Sequence, residues 1–167
     1  FELAESPADV PIVYQRIFQD PSLEARDLLR GKENEVQVLH DHLLGKRRSP
    51  SRSAAVIFDG ATDGGALLHA VTRGLGQELK VVRHCTRDSL EESSVEDILQ
   101  SATGNCLVVV EDLRRLTRLH TEGLAPLRRL AEGILSDRGR NAWLVSCELS
   151  SWTYIQHHLS LEGVFPE

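Results

Sequence analysis

Short continuous apolar runs alternate along this chain with longer stretches in which apolar residues recur every three or four positions. The first run, Ala54-Ala55-Val56-Ile57-Phe58, is bounded by Ser53 and by Asp59-Gly60 and predicts a strand. Leu67, Leu68, Val71 and Leu75 then mark one face of a helix, which Gly74 and Gly76 are expected to break. Leu79 to Cys85, centred on Val81-Val82, predicts a second strand, and Val95, Ile98 and Leu99 a helix capped by Ser93 or Ser94. Cys106 to Val110 is the strongest strand of the chain, running into Glu111-Asp112. Leu116 to Leu135 carries a long helical pattern through Leu119, Leu124, Leu127, Leu130 and Ile134, interrupted at Gly123 and Pro126. Ala142 to Cys147 predicts a fourth strand, Trp152 to Leu159 a helix, and Val164-Phe165 the start of a fifth strand. Upstream, Val36, Leu39, Leu43 and Leu44 recur at helical intervals with Gly45 as a stop. Residues 1–24 are polar and contain Pro7, Pro11 and Pro21, with one apolar patch, Ile12-Val13-Tyr14 and Ile17-Phe18, suited to a short helix.

Strands that are apolar along their whole length are buried on both faces, and strands alternating with helices require right-handed crossovers into a parallel sheet. The pattern therefore predicts a three-layer α/β fold. Ligands of such sheets sit beyond the carboxyl ends of the strands. Asp59-Gly60, Glu111-Asp112 and the segment Ser146 to Ser151 are expected to converge on that edge, with Trp143 and Trp152 in the core.

The composition, 167 residues with 41% apolar and 26% charged, suits one domain with one sizeable core. The chain starts at Phe1 and contains no Met, so it reads as a fragment of a longer protein, with an N-terminal extension over 1–25 and the domain over 26–167. No run approaches the roughly 18 apolar residues of a membrane span, and no signal-peptide pattern is present. A membrane anchor in this chain is not expected. A net charge of −6 argues against a nucleic-acid surface, apart from Lys46-Arg47-Arg48-Ser49-Pro50-Ser51-Arg52, which reads as an exposed loop or as a contact for nucleic acid or another anion. Cys85, Cys106 and Cys147 lie in or at the ends of apolar runs, as small buried residues of a reduced compartment do, which points to the cytoplasm. The histidines, including His157-His158, lack the spacing of a metal site and read as surface residues.

The chemistry concentrates after the first strand. Gly60 and Gly65 stand at the spacing of a phosphate-binding loop, G-x-x-x-x-G-K-[ST], in which the Lys reaches the terminal phosphates and the hydroxyl ligates Mg²⁺. Ala66 and Leu67 occupy those two positions here. Alternatively, the glycines make only a tight strand-to-helix turn. Glu111 and Asp112 are either a metal-binding or water-activating pair, or the polar end of a buried strand and the cap of the next helix.

From about Arg26 to Phe165 the chain resembles the P-loop NTPases of the AAA+ and STAND type. Leu29-Arg30-Gly31-Lys32-Glu33-Asn34-Glu35-Val36 resembles the segment that leads into the first strand in those families and packs beside the adenine, so the resemblance puts Arg30 and Gly31 on the adenine side. Gly60, Gly64, Gly65, Ala66 and Leu67 fall on the Walker A position, Cys106 to Asp112 on the Walker B strand, and Ala142 to Cys147 on the sensor 1 strand, with Ser146 as the sensor-like residue. The resemblance implies a P-loop NTPase-like sheet, AAA+-like without the helical lid, with ATP and Mg²⁺ as cofactors. The departures are the lost Lys and Ser/Thr, the order Glu111-Asp112, and the lack of an arginine between Glu148 and Glu167.

Two functions compete. One is a non-catalytic scaffold or regulatory module acting on a protein partner or as a homo-oligomer, through Arg26 to Glu35 and the Arg114 to Arg129 helices, which carry Arg26, Arg30, Lys32, Arg114, Arg115, Arg118, Arg128 and Arg129. The other is an ATP-binding domain whose loop amides and helix N-terminus hold phosphate unaided. A receiver-like phospho-acceptor, suggested by Asp59 and Glu111-Asp112, lacks a lysine at a matching fifth strand.

Overall fold

The computed structural model describes residues 33–46, 52–59, 64–85, 93–116, 123–161 and 163–165. Among them, α1 (Glu33–Leu43), β1 (Ser53–Phe58), α2 (Gly64–Leu75), β2 (Lys80–Cys85), α3 (Ser93–Ser101), β3 (Cys106–Glu111), a 3₁₀ turn (Leu113–Leu116), α4 (Ala125–Asp137), β4 (Ala142–Glu148) and α5 (Leu149–His158) follow in order. The strands form one parallel sheet in the order β1-β4-β3-β2.

That order sets the layers. The chain crosses the sheet one way from β1 to β2 and steps back from β2 to β3 to β4, and right-handed crossovers in opposite directions place their helices on opposite faces. Period-two alternation then divides each central strand. Leu107, Val109, Ala142 and Leu144 pack under α1 and α2 with Leu43, Leu68, Val71 and Leu75. Cys106, Val108, Val110, Trp143, Val145 and Cys147 pack under α3, α4 and α5 with Ile98, Leu127, Leu130, Ile134, Trp152 and Ile155. Every residue from Cys106 to Val110 and from Ala142 to Cys147 is buried, which is why the first reads as an unbroken apolar run and the second as one interrupted only by Ser146.

Three expectations are corrected. Gly74 does not break α2, which continues to Leu75; a Cβ at Gly74 would lie 2.3 Å from His40 Nε2, so a side chain there would displace the His40 ring. Pro126 does not interrupt a helix, because α4 starts only at Ala125. Pro126 lies in the first turn of α4, where its missing N–H has no helical partner to lose. Val164-Phe165 is not a strand: both N–H groups turn back to the carbonyl of Leu161. Val164 is buried, the Ser53 hydroxyl donates to its carbonyl, and Phe165 meets Trp152 edge-on at 5.8 Å. Packing, rather than pairing, accounts for that apolar pair.

A buried polar knot ties the amino edge of the sheet. The Asp137 carboxylate accepts the backbone N–H of Asn141 at 2.8 Å, its Nδ2 at 2.7 Å and Trp143 Nε1 at 3.4 Å. Asn141 Oδ1 in turn accepts the N–H groups of Gly104 at 2.9 Å and Cys106 at 3.3 Å. The knot joins the end of α4 to the starts of β3 and β4.

No described helix is long and apolar enough to cross a membrane.

Candidate functional site at the carboxyl edge

The helices after β1 and β4, neighbours in the sheet, lie on opposite faces, so the topological switch point falls at their carboxyl ends. Register places Phe58 beside Glu148, Val110 beside Val145 and Cys85 beside Glu111. Asp59, Glu111, Asp112, Ser146 and Glu148 therefore share one edge, as the sequence pattern requires.

Glu111, Asp112, Ser146 and Glu148 make contacts with one another or with two arginines. After Glu111 the chain reverses at Asp112, whose φ of +59° is a conformation that residues with a Cβ seldom adopt. Two interactions hold it. Its N–H donates to Ser146 Oγ at 3.0 Å, and its carboxylate receives a two-pronged bond from Arg114, Nε to Oδ1 at 2.6 Å and Nη2 to Oδ2 at 2.8 Å. Arg114 Nη1 also donates to Glu148 Oε2 at 2.9 Å, and Ser150 Oγ to Glu148 Oε1 at 2.9 Å. One guanidinium thus bridges the ends of β3 and β4. Hydrogen bonding to Asp112, outweighing desolvation and reinforced by Glu148, raises its pKa still further above the ordinary arginine range. Glu111 pairs separately with Arg83 of β2, Nε to Oε1 at 3.0 Å.

Ser146, expected as a sensor, is buried and bound to the Asp112 backbone. Asp112 and Glu111, expected as a Walker B pair, each carry an arginine. Arg114, expected on a basic partner surface, is paired with Asp112 and Glu148; Arg128 is exposed, and Arg129 reaches Glu96 at 3.2 Å. Leu67 is half-buried against the cluster beneath α2. Gly64, Gly65 and Ala66 form the first turn of α2. Arg30, Gly31 and Gly60 lie outside the described residues, as do Arg26, Lys32 and Arg118. The sequence reading missed Arg83, Arg114 and Glu148 as a set. Glu148 was visible as a second acidic residue ending an apolar run, but nothing in linear spacing pairs it with Arg114.

Neighbouring groups offer little chemistry. The Cys147 thiol is fully buried and pushed up to about 12, chiefly by burial, so it stays protonated near neutrality. Among the described residues no group of three or more His, Cys, Asp or Glu is placed to hold a metal. A cleft of about 270 Å³ lies away from this edge, between α4 and the chain after α5, lined by Leu135, His158 and Leu159 among others.

At the end of β2, His84 Nε2 lies 2.8 Å from Ser101 Oγ, and that hydroxyl donates to the Ile98 carbonyl at 2.6 Å. The hydroxyl proton is committed, so the imidazole donates to Ser101 and is no base for it. Burial lowers the His84 pKa, against a smaller opposing effect of Asp97. With the folded value below the unfolded one of about 6.5, the neutral ring contributes stability above that pH, and the contribution is lost as pH falls through the folded value. Denaturant midpoints at successive pH values should show His84→Gln losing less stability than the parent below pH of about 6.5. Equal losses would remove His84 from the acid response.

No family model matches the chain, and no curated protein matches it. Among solved structures, a chain in the structure of Drosophila ORC bound to DNA is similar over 99% of this chain, with a TM-score of 0.50 and 13% identity. The match covers 34% of that chain, so this chain spans about a third of its length. At this identity the likeness concerns the fold. The fold itself is a three-layer α/β arrangement around one parallel sheet.

Proposed function

We propose that this chain is a degenerate P-loop NTPase-like module that performs no phosphoryl transfer and acts through contacts with a protein partner or with other copies of itself, in a reduced compartment such as the cytoplasm. The observation that carries this reading is the Arg114 bridge. A Mg²⁺-dependent site needs carboxylates free to orient metal or water. Here Asp112 and Glu148 hold a guanidinium between them, and Glu111 holds Arg83. Ala66 and Leu67, where a lysine and a hydroxyl would serve ATP and Mg²⁺, supply neither charge nor ligand, and Leu67 is occupied in packing. The residues present do not fit ATP with Mg²⁺. The reduced setting is supported by Cys106 and Cys147, which are buried free thiols.

The test is a thermal melt with ATP or ADP, with and without Mg²⁺, beside a hydrolysis assay. A ligand at about 100 times its Kd stabilises the fold by about 2.7 kcal/mol, which a melt detects easily. We expect no Mg²⁺-dependent shift and no turnover. Turnover on the order of 1 s⁻¹, abolished by Glu111→Gln, would overturn the proposal. A shift without turnover would favour the phosphate-holding alternative.

A further inference from the structure

The opposite, amino edge of the sheet carries the charge that the whole-chain balance conceals. Parallel strands all begin on that edge, so the topology gathers there the residues that precede β1, β2 and β4. Arg52 precedes β1, Arg138 and Arg140 precede β4, and Lys80 opens β2. Backbone bonds lock the row together: Trp143 N–H donates to the Arg52 carbonyl at 2.8 Å and Asn105 N–H to the Arg140 carbonyl at 3.1 Å. With strands about 4.8 Å apart, the row is about 15 Å wide. Arg138, Arg140 and Lys80 are exposed, the Arg140 side chain 77% so. Arg52 is half-buried and its Nε donates to the Leu43 carbonyl, a neutral acceptor.

The carboxylates described nearby do not cancel the row. Asp41 pairs with Lys46, and Asp137 is buried in its knot with Arg140 reaching it only at 3.9 Å; exposed Glu78 stands near Lys80.

A second observation singles out Arg138. It terminates α4 in the left-handed conformation, φ +51° and ψ +37°, the position where helices ordinarily place glycine. An arginine there strains the backbone while presenting a charge to solvent. Between the charges lie Gly104, Asn105 and Gly139, which offer no apolar anchor. Among the described residues, the exposed large apolar side chains Val38, Leu135, Leu149 and Tyr154 all sit on helices. Protein interfaces centre on buried aromatic or aliphatic anchors, whereas phosphate backbones are held by spaced point charges.

We propose that this amino edge, through Arg52, Lys80, Arg138 and Arg140, binds the phosphate backbone of a nucleic acid without reading its sequence. It is independent of whether the carboxyl edge binds nucleotide.

The experiment uses the 167-residue chain and a fluorescently labelled DNA duplex of about 20 base pairs, followed by anisotropy across a salt series. Binding should strengthen as salt falls, with a log–log slope of about −3.6 for four neutralised phosphates. Arg138→Gly is the informative variant, because it relieves the strained turn and removes one charge. It should raise the Tm by about 2 to 4 °C, weaken binding several-fold and make the slope shallower by about 1. Lys80→Ala should also weaken binding with the fold intact. The proposal is overturned if the duplex does not bind at about 10 mM salt, or if both variants bind as the parent does. It also fails if polyglutamate displaces the duplex as well as unlabelled DNA does at equal charge, since the surface would then suit acidic protein.

Discussion

Replacing Asp137 by alanine is expected to lower the unfolding free energy by about 3 kcal/mol, the largest single polar effect expected among the described residues. The carboxylate is 7% exposed and accepts two bonds from Asn141 and one from the Trp143 indole. Truncation leaves these donors buried without an acceptor, each at a cost of about 1 to 3 kcal/mol before water enters the gap. Asn141 would also lose its orientation toward Gly104 and Cys106, loosening the starts of both central strands. Urea unfolding measures the loss, and a Tm lower by about 6 to 12 °C should accompany it. Asp137→Asn keeps one acceptor oxygen and should recover part of the difference. A loss below about 0.5 kcal/mol for the alanine variant, the range of ordinary surface changes, would show that the knot is not a structural tie.

Arg114→Glu is expected to cost about 2 to 3 kcal/mol at low ionic strength, with Arg114→Gln costing less. The charge reversal puts a third carboxylate beside Asp112 and Glu148 in place of the cation that joins them. It also strips support from the left-handed turn at Asp112. The Arg114 side chain is 39% exposed, so solvent screens part of the effect. The gap between the two variants should therefore narrow between about 10 mM and about 1 M salt, where the screening length falls from about 30 to about 3 Å. Paired urea titrations at those two ionic strengths decide it. A Glu variant as stable as the parent would mean the bridge is not formed in solution. Arg114 is consequently a poor probe of partner binding, and exposed Arg128 is the cleaner choice.

How far this fold was legible in the sequence depends on the reach of each interaction. The strands were legible because burial on both faces leaves Cys106 to Val110 wholly apolar and Ala142 to Cys147 apolar but for Ser146, a signal contained in each segment. Alternation with helices then determined the parallel three-layer class, and with it the shared edge of Asp59, Glu111, Asp112 and Ser146. Ala66 and Leu67 were legible as missing chemistry for the same local reason. Gly74 and Val164-Phe165 were misread because their roles are set by distant partners: the His40 ring in one case, and Ser53 and Trp152 in the other. A short apolar pair looks the same whether it pairs or packs.

The charged groups mark the limit. Sequence alone supplied the arginines, but only the tertiary structure decided which were spent: Arg114 on Asp112 and on Glu148, 34 residues away, and Arg83 on Glu111, 28 away. The strand order also decided that Arg52, Lys80, Arg138 and Arg140, dispersed along a chain of net charge −6, stand together on the amino edge. Hydrophobic periodicity is written into neighbouring residues, whereas the pairing of a charge depends on which loops the sheet brings within a few ångströms. That distance is settled only by the fold.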